Sequence, residues 1–220
     1  MKSVVILCRH GNTFTKGDKA VMVGAKEDLP LTEEGLRQAA DVGWALRSIA
    51  SRITRVISGP LRRTLVFADT VKQSSGASAP ISIDERLTEL DYGQWSGLSN
   101  DEIVALSGED ALRQWQDRGV RPRRVKFLPS AETVARELTS LLKELENQPG
   151  VSVVVSSNGR LRELRRLIDS GADGTLGDGK VSTGRSCVVV FSESGWKIVL
   201  WNCDPKGLET SLAQIKWPEV

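Results

Sequence analysis

"VVILCRHGNT", residues 4–13, is the stretch on which the rest of the chain turns: five apolar residues ending at Cys8 give way to Arg9, His10 and Gly11. A short run rich in β-branched residues, closed by polar residues and a glycine, predicts a strand buried on both faces. His10 is the only histidine among 220 residues. At the end of such a strand it can be a packed core side chain, a metal ligand or a nucleophile.

Three further runs read the same way: "TRVIS" (54–58), "SVVVSS" (152–157) and "CVVVF" (187–191). Between them lie segments of helical period. Over 32–50, Leu36, Ala39, Ala40, Gly43, Leu46 and Ala50 recur at helical spacing behind a Thr32 cap, with Glu33 and Glu34 in the first turn. A second helix is expected from Pro60 behind a Ser58 cap. A third should run over 131–147 with Val134, Leu138, Leu141, Leu142 and Leu145 on one side, and a fourth over 159–170. Strand alternating with helix predicts an α/β three-layer sandwich, a mostly parallel central sheet with helices on both faces. After 170, "CVVVF", the turn "SESG" and "WKIVLW" predict an antiparallel hairpin at the sheet edge.

Residues 96–130, with Trp95 at their border, Trp115 within and the basic run "RGVRPRRVKF" (118–127), lack an obvious central strand and read as a helical insertion over the active-site end of the sheet. No repeat, low-complexity tract or linker divides the chain, so residues 1–220 are read as one domain. "GADGTLGDGK" (171–180) reads as a loop. It is not a nucleotide phosphate loop, because Val181 stands where a magnesium-binding Ser or Thr belongs and a helix precedes it.

Composition narrows the function classes. A formal net charge of +2 with mixed signs gives no reason to expect nucleic acid or an anionic membrane as partner. Cys8, Cys187 and Cys203 form no CxxC pair and sit in apolar segments, as expected in a reducing, cytoplasmic setting. "VVILC" is too short for a membrane span or signal-peptide core. One histidine and scattered carboxylates offer no metal-ligand spacing, so no metal and no cofactor are expected.

Ligands of a doubly wound sheet bind beyond the carboxyl ends of its strands. The residues emerging there are Arg9, His10 and Asn12 after the first strand, Ser58 and Arg63 after the second, and Ser157 and Asn158 after "SVVVSS". Arg9 and Arg63 can surround a phosphoryl group, since guanidinium forks match its oxygens. Nearby positive charge disfavours imidazolium and leaves a ring nitrogen of His10 free to attack phosphorus. Glu89, on a loop after the short extended segment 81–83, is the best acid–base candidate.

These blocks resemble the histidine phosphatase superfamily, which includes cofactor-dependent phosphoglycerate mutases and many phosphomonoesterases. "RHGNT" (9–13) matches its signature. "EDLPLTEEGLRQA" (27–39) is similar to its D-x-P-L-T-x-x-G-x-x-Q-A segment, and "SGPLRRTLVFA" (58–68) to its S-x-P-L-x-R-A-x-x-T-A segment. "LTELDYGQWSGLSNDEI" (87–103) is similar to its L-x-E-x-x-x-G-x-W-x-G pattern, and "PSAET" (129–133) stands where P-x-G-E-S is usual. The resemblance implies His10 as phosphohistidine nucleophile, Arg9 and Arg63 as phosphoryl ligands and Glu89 as proton donor, with Arg62 facing solvent.

The departure is "VSSNGRLR" (155–162), where the family usually reads V-S-H-G-G-x-x-R: Ser157 replaces the second histidine. Serine donates one hydrogen bond without positive charge, which should weaken transition-state stabilisation by roughly a few kcal/mol. Asn158 and Gly159 backbone N–H groups or Arg162 can compensate. Ser157 and Asn158 fit a turn and helix cap equally well. Arg165, Arg166 and "RPRR" (121–124) read as solvated charge, and the tryptophans as core and lid packing, with Trp95 beside the insertion as a candidate to line the entrance.

The resulting expectation is a metal-independent phosphomonoesterase acting on a small phosphorylated metabolite. A catalytically weak sensor that binds a phosphorylated ligand or a protein, and a mutase-like phosphotransferase, are the alternatives. The oligomeric state stays open, a homodimer included.

Overall fold

The computed structural model describes residues 3–146, 148, 150–169, 179–215 and 217. Its centre is a six-stranded sheet of β1 (Ser3–Arg9), β2 (Ile53–Ser58), β3 (Ile81–Ile83), β4 (Val151–Ser156), β5 (Ser186–Ser192) and β6 (Gly195–Cys203), in the order β3-β2-β4-β1-β5-β6. β1 to β4 run parallel, and β5 and β6 add an antiparallel edge. The expected hairpin is therefore present, paired to the sheet through β5.

Alternation along β1 shows why the sheet needs cover on both sides. Val4, Ile6 and Cys8 join Val56, Val153 and Val155 in one core, against α1 (Glu33–Ala45), α2 (Arg62–Ser75) and α7 (Pro205–Leu212). Val5 and Leu7 join Ile57 and Val154 in the other, against α5 (Ala131–Glu146) and α6 (Asn158–Ile168). Period-two side chains on a strand whose residues 4–8 are all apolar permit only this two-layered cover. α5 buries Val134, Leu138, Leu141, Leu142 and Leu145, as its spacing predicted.

Several boundaries differ from the sequence reading. The first helix keeps its Thr32 cap, which accepts from the Gly35 N–H, but ends at Ala45, and Arg47–Arg52 continue as a tighter 3-10 turn. Its buried stripe includes Gly35, Ala39, Val42 and Gly43, leaving Leu36 exposed. α2 starts at Arg62 rather than near Pro60, and Ser58 does not cap it. The Ser58 hydroxyl donates to the adjacent Gly59 carbonyl, while Asp28 Oδ1 accepts the Arg62 N–H at 2.8 Å. α7 was not foreseen, although Asp204 caps it and Pro205 opens it, a recognisable start signal.

The 96–130 region carries α3 (Asn100–Ser107) and α4 (Glu109–Arg118) and no strand of the sheet. α3 is closed by a Ser99–Glu102 capping box. Trp95 is fully buried here, donating its indole N–H to Ser107 Oγ at 2.8 Å, so it does not line the entrance. It belongs to an edge-to-face aromatic cluster around Phe127 that also contains Tyr92 and Trp115.

The outer face of α6 is packed rather than solvated: Arg165 stacks over Trp201, and Arg166 donates to the Gly119 carbonyl. Arg121 likewise pairs with Glu163 at 3.2 Å and donates to the Pro129 carbonyl, whereas Arg123 and Arg124 are exposed. Residues 171–178 of the glycine-rich loop lie outside the described residues. The three cysteines are free, and burial pushes the Cys203 thiol up to about 11 and Cys8 to about 12. Among the described residues no helix is long and apolar enough to cross a membrane.

Candidate active site

At the carboxyl ends of β1 and β4 a cavity of about 500 Å³ opens, with Arg9, His10, Asn12, Glu89 and Asn158 in its lining. The last ladder pair of these strands is Arg9 with Ser156, and the His10 N–H donates to the Ser156 carbonyl. One residue further along the chain come His10, in the lining, and Ser157, which is buried outside it. This is the crevice position expected of parallel sheets.

His10 is 6% exposed, and its Nδ1 lies 2.8 Å from the Gly11 carbonyl. Because a carbonyl only accepts, Nδ1 carries the proton and Nε2 keeps its lone pair. Burial first, then the charges of Arg9 and Arg63, hold the imidazole pKa well below the usual 6.5, against a smaller opposing effect of the Gly11 hydrogen bond. The loop is held close to α1: a Cβ on Gly11 would sit 2.4 Å from the Gly35 carbonyl oxygen, and one on Gly35 would sit 2.3 Å from that of Asn12. Neither position has room for a side chain.

The arginines differ in their attachments. Arg9 Nη1 donates to the Val181 carbonyl at 2.7 Å, and its Nε has no partner among the described residues. Arg63, 1% exposed, donates from Nη1 to the Glu27 carbonyl at 2.6 Å and from Nη2 to that of Gly24 at 3.0 Å. Its terminal fork thus holds the 24–27 loop, leaving Nε without a partner among the described residues. Arg62 is exposed.

Glu89 is 5% exposed and acts as an acceptor on both oxygens: Oε1 from the Leu90 N–H at 2.8 Å, Oε2 from the Gly159 N–H at 3.2 Å. The hydroxyl of the buried Tyr92 lies at the same point, within 3.0 Å of where a Cβ on Gly159 would sit. Gly159, in the first turn of α6, makes this approach possible, since a Cβ there would meet Glu89 Oε1 at 2.4 Å. Behind the loop, Arg160 is 2% exposed, donates from Nε to the Thr88 carbonyl at 2.5 Å and pairs with Glu137 of α5 at 2.8 Å. Tyr92 and Arg160 were missed by sequence reasoning. An arginine two residues after the expected Ser–Asn helix start was a visible but ambiguous signal.

The remaining candidates separate. Asn12 is anchored by its N–H to Gln38, by its carbonyl to Thr32 and by Oδ1 to the Thr183 hydroxyl, which leaves its amide nitrogen for a ligand. Asn158 uses Oδ1 to accept the Val181 N–H at 2.9 Å, tying α6 to the 181 loop. Ser157 stands at the N-cap of α6 yet makes no capping hydrogen bond. Its hydroxyl is buried without a partner among the described residues. Arg162, also buried, donates to the Trp115 and Gln116 carbonyls and lies 5.2 Å over the Trp115 ring, binding α6 to α4. Among the described residues no cluster of three or more His, Cys, Asp or Glu side chains could hold a metal.

Fold and site together define an α/β protein with a cationic, histidine-centred pocket at the switch between β1 and β4. Residues 5–204 match the family described as the histidine phosphatase superfamily (branch 1), and the chain belongs to it. A 2,3-bisphosphoglycerate-dependent phosphoglycerate mutase of Methylobacterium sp. (strain 4-46) is 30% identical over 174 residues, 77% of this chain and 82% of that protein. A probable phosphoglycerate mutase GpmB of Salmonella choleraesuis (strain SC-B67) is 33% identical over 130 residues, which span 59% of this chain but only 55% of that relative. Among solved structures, a mycobacterial glucosyl-3-phosphoglycerate phosphatase superposes with TM-score 0.71 at 22% identity, covering 92% of this chain and 99% of that one. A putative alpha-ribazole-5'-P phosphatase from Escherichia coli K-12 gives 0.68 at 19% identity, covering 91% and 97%. At these identities the structures establish the fold.

Proposed function

We propose that the chain is a phosphomonoesterase working through a phosphohistidine at His10. The observation that carries this is the imidazole itself: Nδ1–H is held by the Gly11 carbonyl, and burial beside two arginines keeps Nε2 unprotonated at the cavity that also contains Glu89. In the first step Nε2 attacks phosphorus, the P–O ester bond breaks, and Glu89 gives its proton to the departing alkoxide. In the second, Glu89 takes a proton from water, the oxygen attacks phosphorus, the P–N bond breaks, and phosphate leaves with His10 restored.

Arg9 and the Arg63 charge stabilise the transferring group, with Asn12, Ser157 and Asn158 as neutral donors around it. Ser157 takes the place of the usual second histidine. Its buried, unpartnered hydroxyl, one residue beyond the last ladder pair, supports a hydrogen bond to a phosphoryl oxygen over a capping role. No step in this scheme requires a metal or cofactor, and the site is read as serving a small phosphorylated metabolite rather than nucleic acid or membrane.

The test is turnover of a panel of phosphate monoesters in EDTA by the native chain and by His10→Ala. Phosphate release that falls at least about 10³-fold in His10→Ala is expected for loss of a nucleophile. Undetectable turnover on every ester, or undiminished release by the variant, would sink the proposal. A mutase reading is favoured by the 30% identical relative. Transfer of the phosphoryl group to phosphoglycerate in preference to water would establish it. A weak-enzyme or sensor reading is favoured by Arg63, whose fork grips the 24–27 loop; phosphate-analogue binding without turnover would support that one.

A further inference from the structure

The cavity is far larger than a phosphoryl group, so its outer walls must describe the rest of the ester. One wall is the irregular segment after His10: Phe14, Val21, Met22 and Val23 are each partly buried and line the cavity. This wall is fixed rather than draped. The Met22 N–H donates to the Leu98 carbonyl at 2.8 Å, the Met22 carbonyl accepts from the Gly97 N–H at 2.9 Å, and the Ala25 N–H donates to the Leu90 carbonyl at 3.0 Å. Apolar side chains held half-open at a preformed cavity gain from covering by an apolar ligand surface.

The opposite wall is polar, and its buried arginine is committed to backbone. Gln116 donates to Asn100 Oδ1 at 2.9 Å, setting an amide pair at the mouth. Arg162 lines the cavity, but both of its terminal nitrogens donate to backbone carbonyls of α4, so its fork does not face a ligand carboxylate. Lys180 lies exposed at the rim.

We propose that this site takes the phosphate ester of an uncharged alcohol with a sizeable apolar face, in preference to an ester that carries a second acidic group. The proposal rests on the phosphatase reading and names its substrate class.

The test uses the full chain and non-hydrolysable probes: calorimetric affinities for methylphosphonate, n-hexylphosphonate and 2-carboxyethylphosphonate, beside turnover of n-hexyl phosphate, glycerol 3-phosphate and 3-phosphoglycerate. These three esters release alkoxides of broadly similar basicity, so differences in kcat/KM report recognition. n-Hexylphosphonate should bind at least tenfold tighter than methylphosphonate, and the carboxyethyl compound no tighter than methyl. Met22→Gln should narrow the hexyl-to-methyl ratio severalfold, a ratio that is insensitive to how much of the variant folds. Equal hexyl and methyl affinities, or tightest binding of the carboxyethyl probe, would overturn the substrate class, and turnover in that case leaves the phosphatase reading standing. Selective hexyl binding without turnover of any ester would instead overturn the phosphatase reading while upholding the ligand class.

Discussion

In the proposed reaction His10 is set up by three neighbours and no second histidine: a backbone carbonyl that fixes the tautomer and two arginines that disfavour the imidazolium. Because it is the only histidine, its ring protons give an unambiguous magnetic resonance signal. Their titration midpoint in the folded chain should lie well below 6.5; a midpoint at or above 6.5 would remove the basis for a neutral nucleophile. Ser157 carries the second residue-level prediction. Its buried hydroxyl lacks a partner among the described residues, so Ser157→Ala should leave the melting temperature unchanged or slightly raised. If the hydroxyl serves the transferring phosphoryl group, kcat should fall by about 10- to 100-fold with little change in KM. A fall in stability with kcat unchanged would return Ser157 to a structural role.

At the scale of elements, the site depends on two contacts between a loop and a helix. The His10 loop lies against α1 through facing glycines, and a methyl group on Gly35 has only the Asn12 backbone to displace. Gly35→Ala should therefore cost about 1–3 kcal/mol in denaturant unfolding, as overpacking does elsewhere, and lower kcat/KM by shifting the nucleophile. The Glu89 loop is held from behind by Arg160 of α6, which bridges the Thr88 carbonyl and Glu137. Arg160→Met should destabilise by about 2 kcal/mol, less than for a fully buried pair because Glu137 is 30% exposed, and reduce kcat more than KM. Preserved kcat in a folded Arg160→Met chain would show that Glu89 needs no such support. Neither contact could be read in the sequence. Glycine at 35 and arginine at 160 suit ordinary helix roles, and their significance depends on elements far apart in the chain.

For the molecule as a whole, what could be read in advance is what local pattern controls. β-Branched runs and helical periods predicted the alternation of strand and helix, and motif spacing pointed to Arg9, His10 and Glu89, which line the cavity, and to Arg63, whose fork holds the 24–27 loop. What could not be read is how side chains with several possible partners choose among them: Trp95 goes to the aromatic core, Trp115 to the cavity, and Arg162 to the carbonyls of α4. The buried neutral histidine also sets a pH dependence of global stability. The unfolded chain binds this proton near pH 6.5 and the folded chain only well below it. His10 therefore adds no penalty above pH 6.5, and stability falls as pH drops from there toward the folded pKa, by at most about 1.4 kcal/mol per pH unit. Chemical denaturation at pH 7 and pH 5 should show a larger loss for the native chain than for His10→Gln; equal losses would contradict a buried, neutral imidazole. The most direct test of the account is to quench turnover of a phosphate monoester in alkali, where phosphohistidine survives, and map the label by peptide mass. The account predicts one phosphoryl group, on His10 at Nε2. A labelled serine or cysteine, or burst-phase turnover with His10 unmodified, would contradict it.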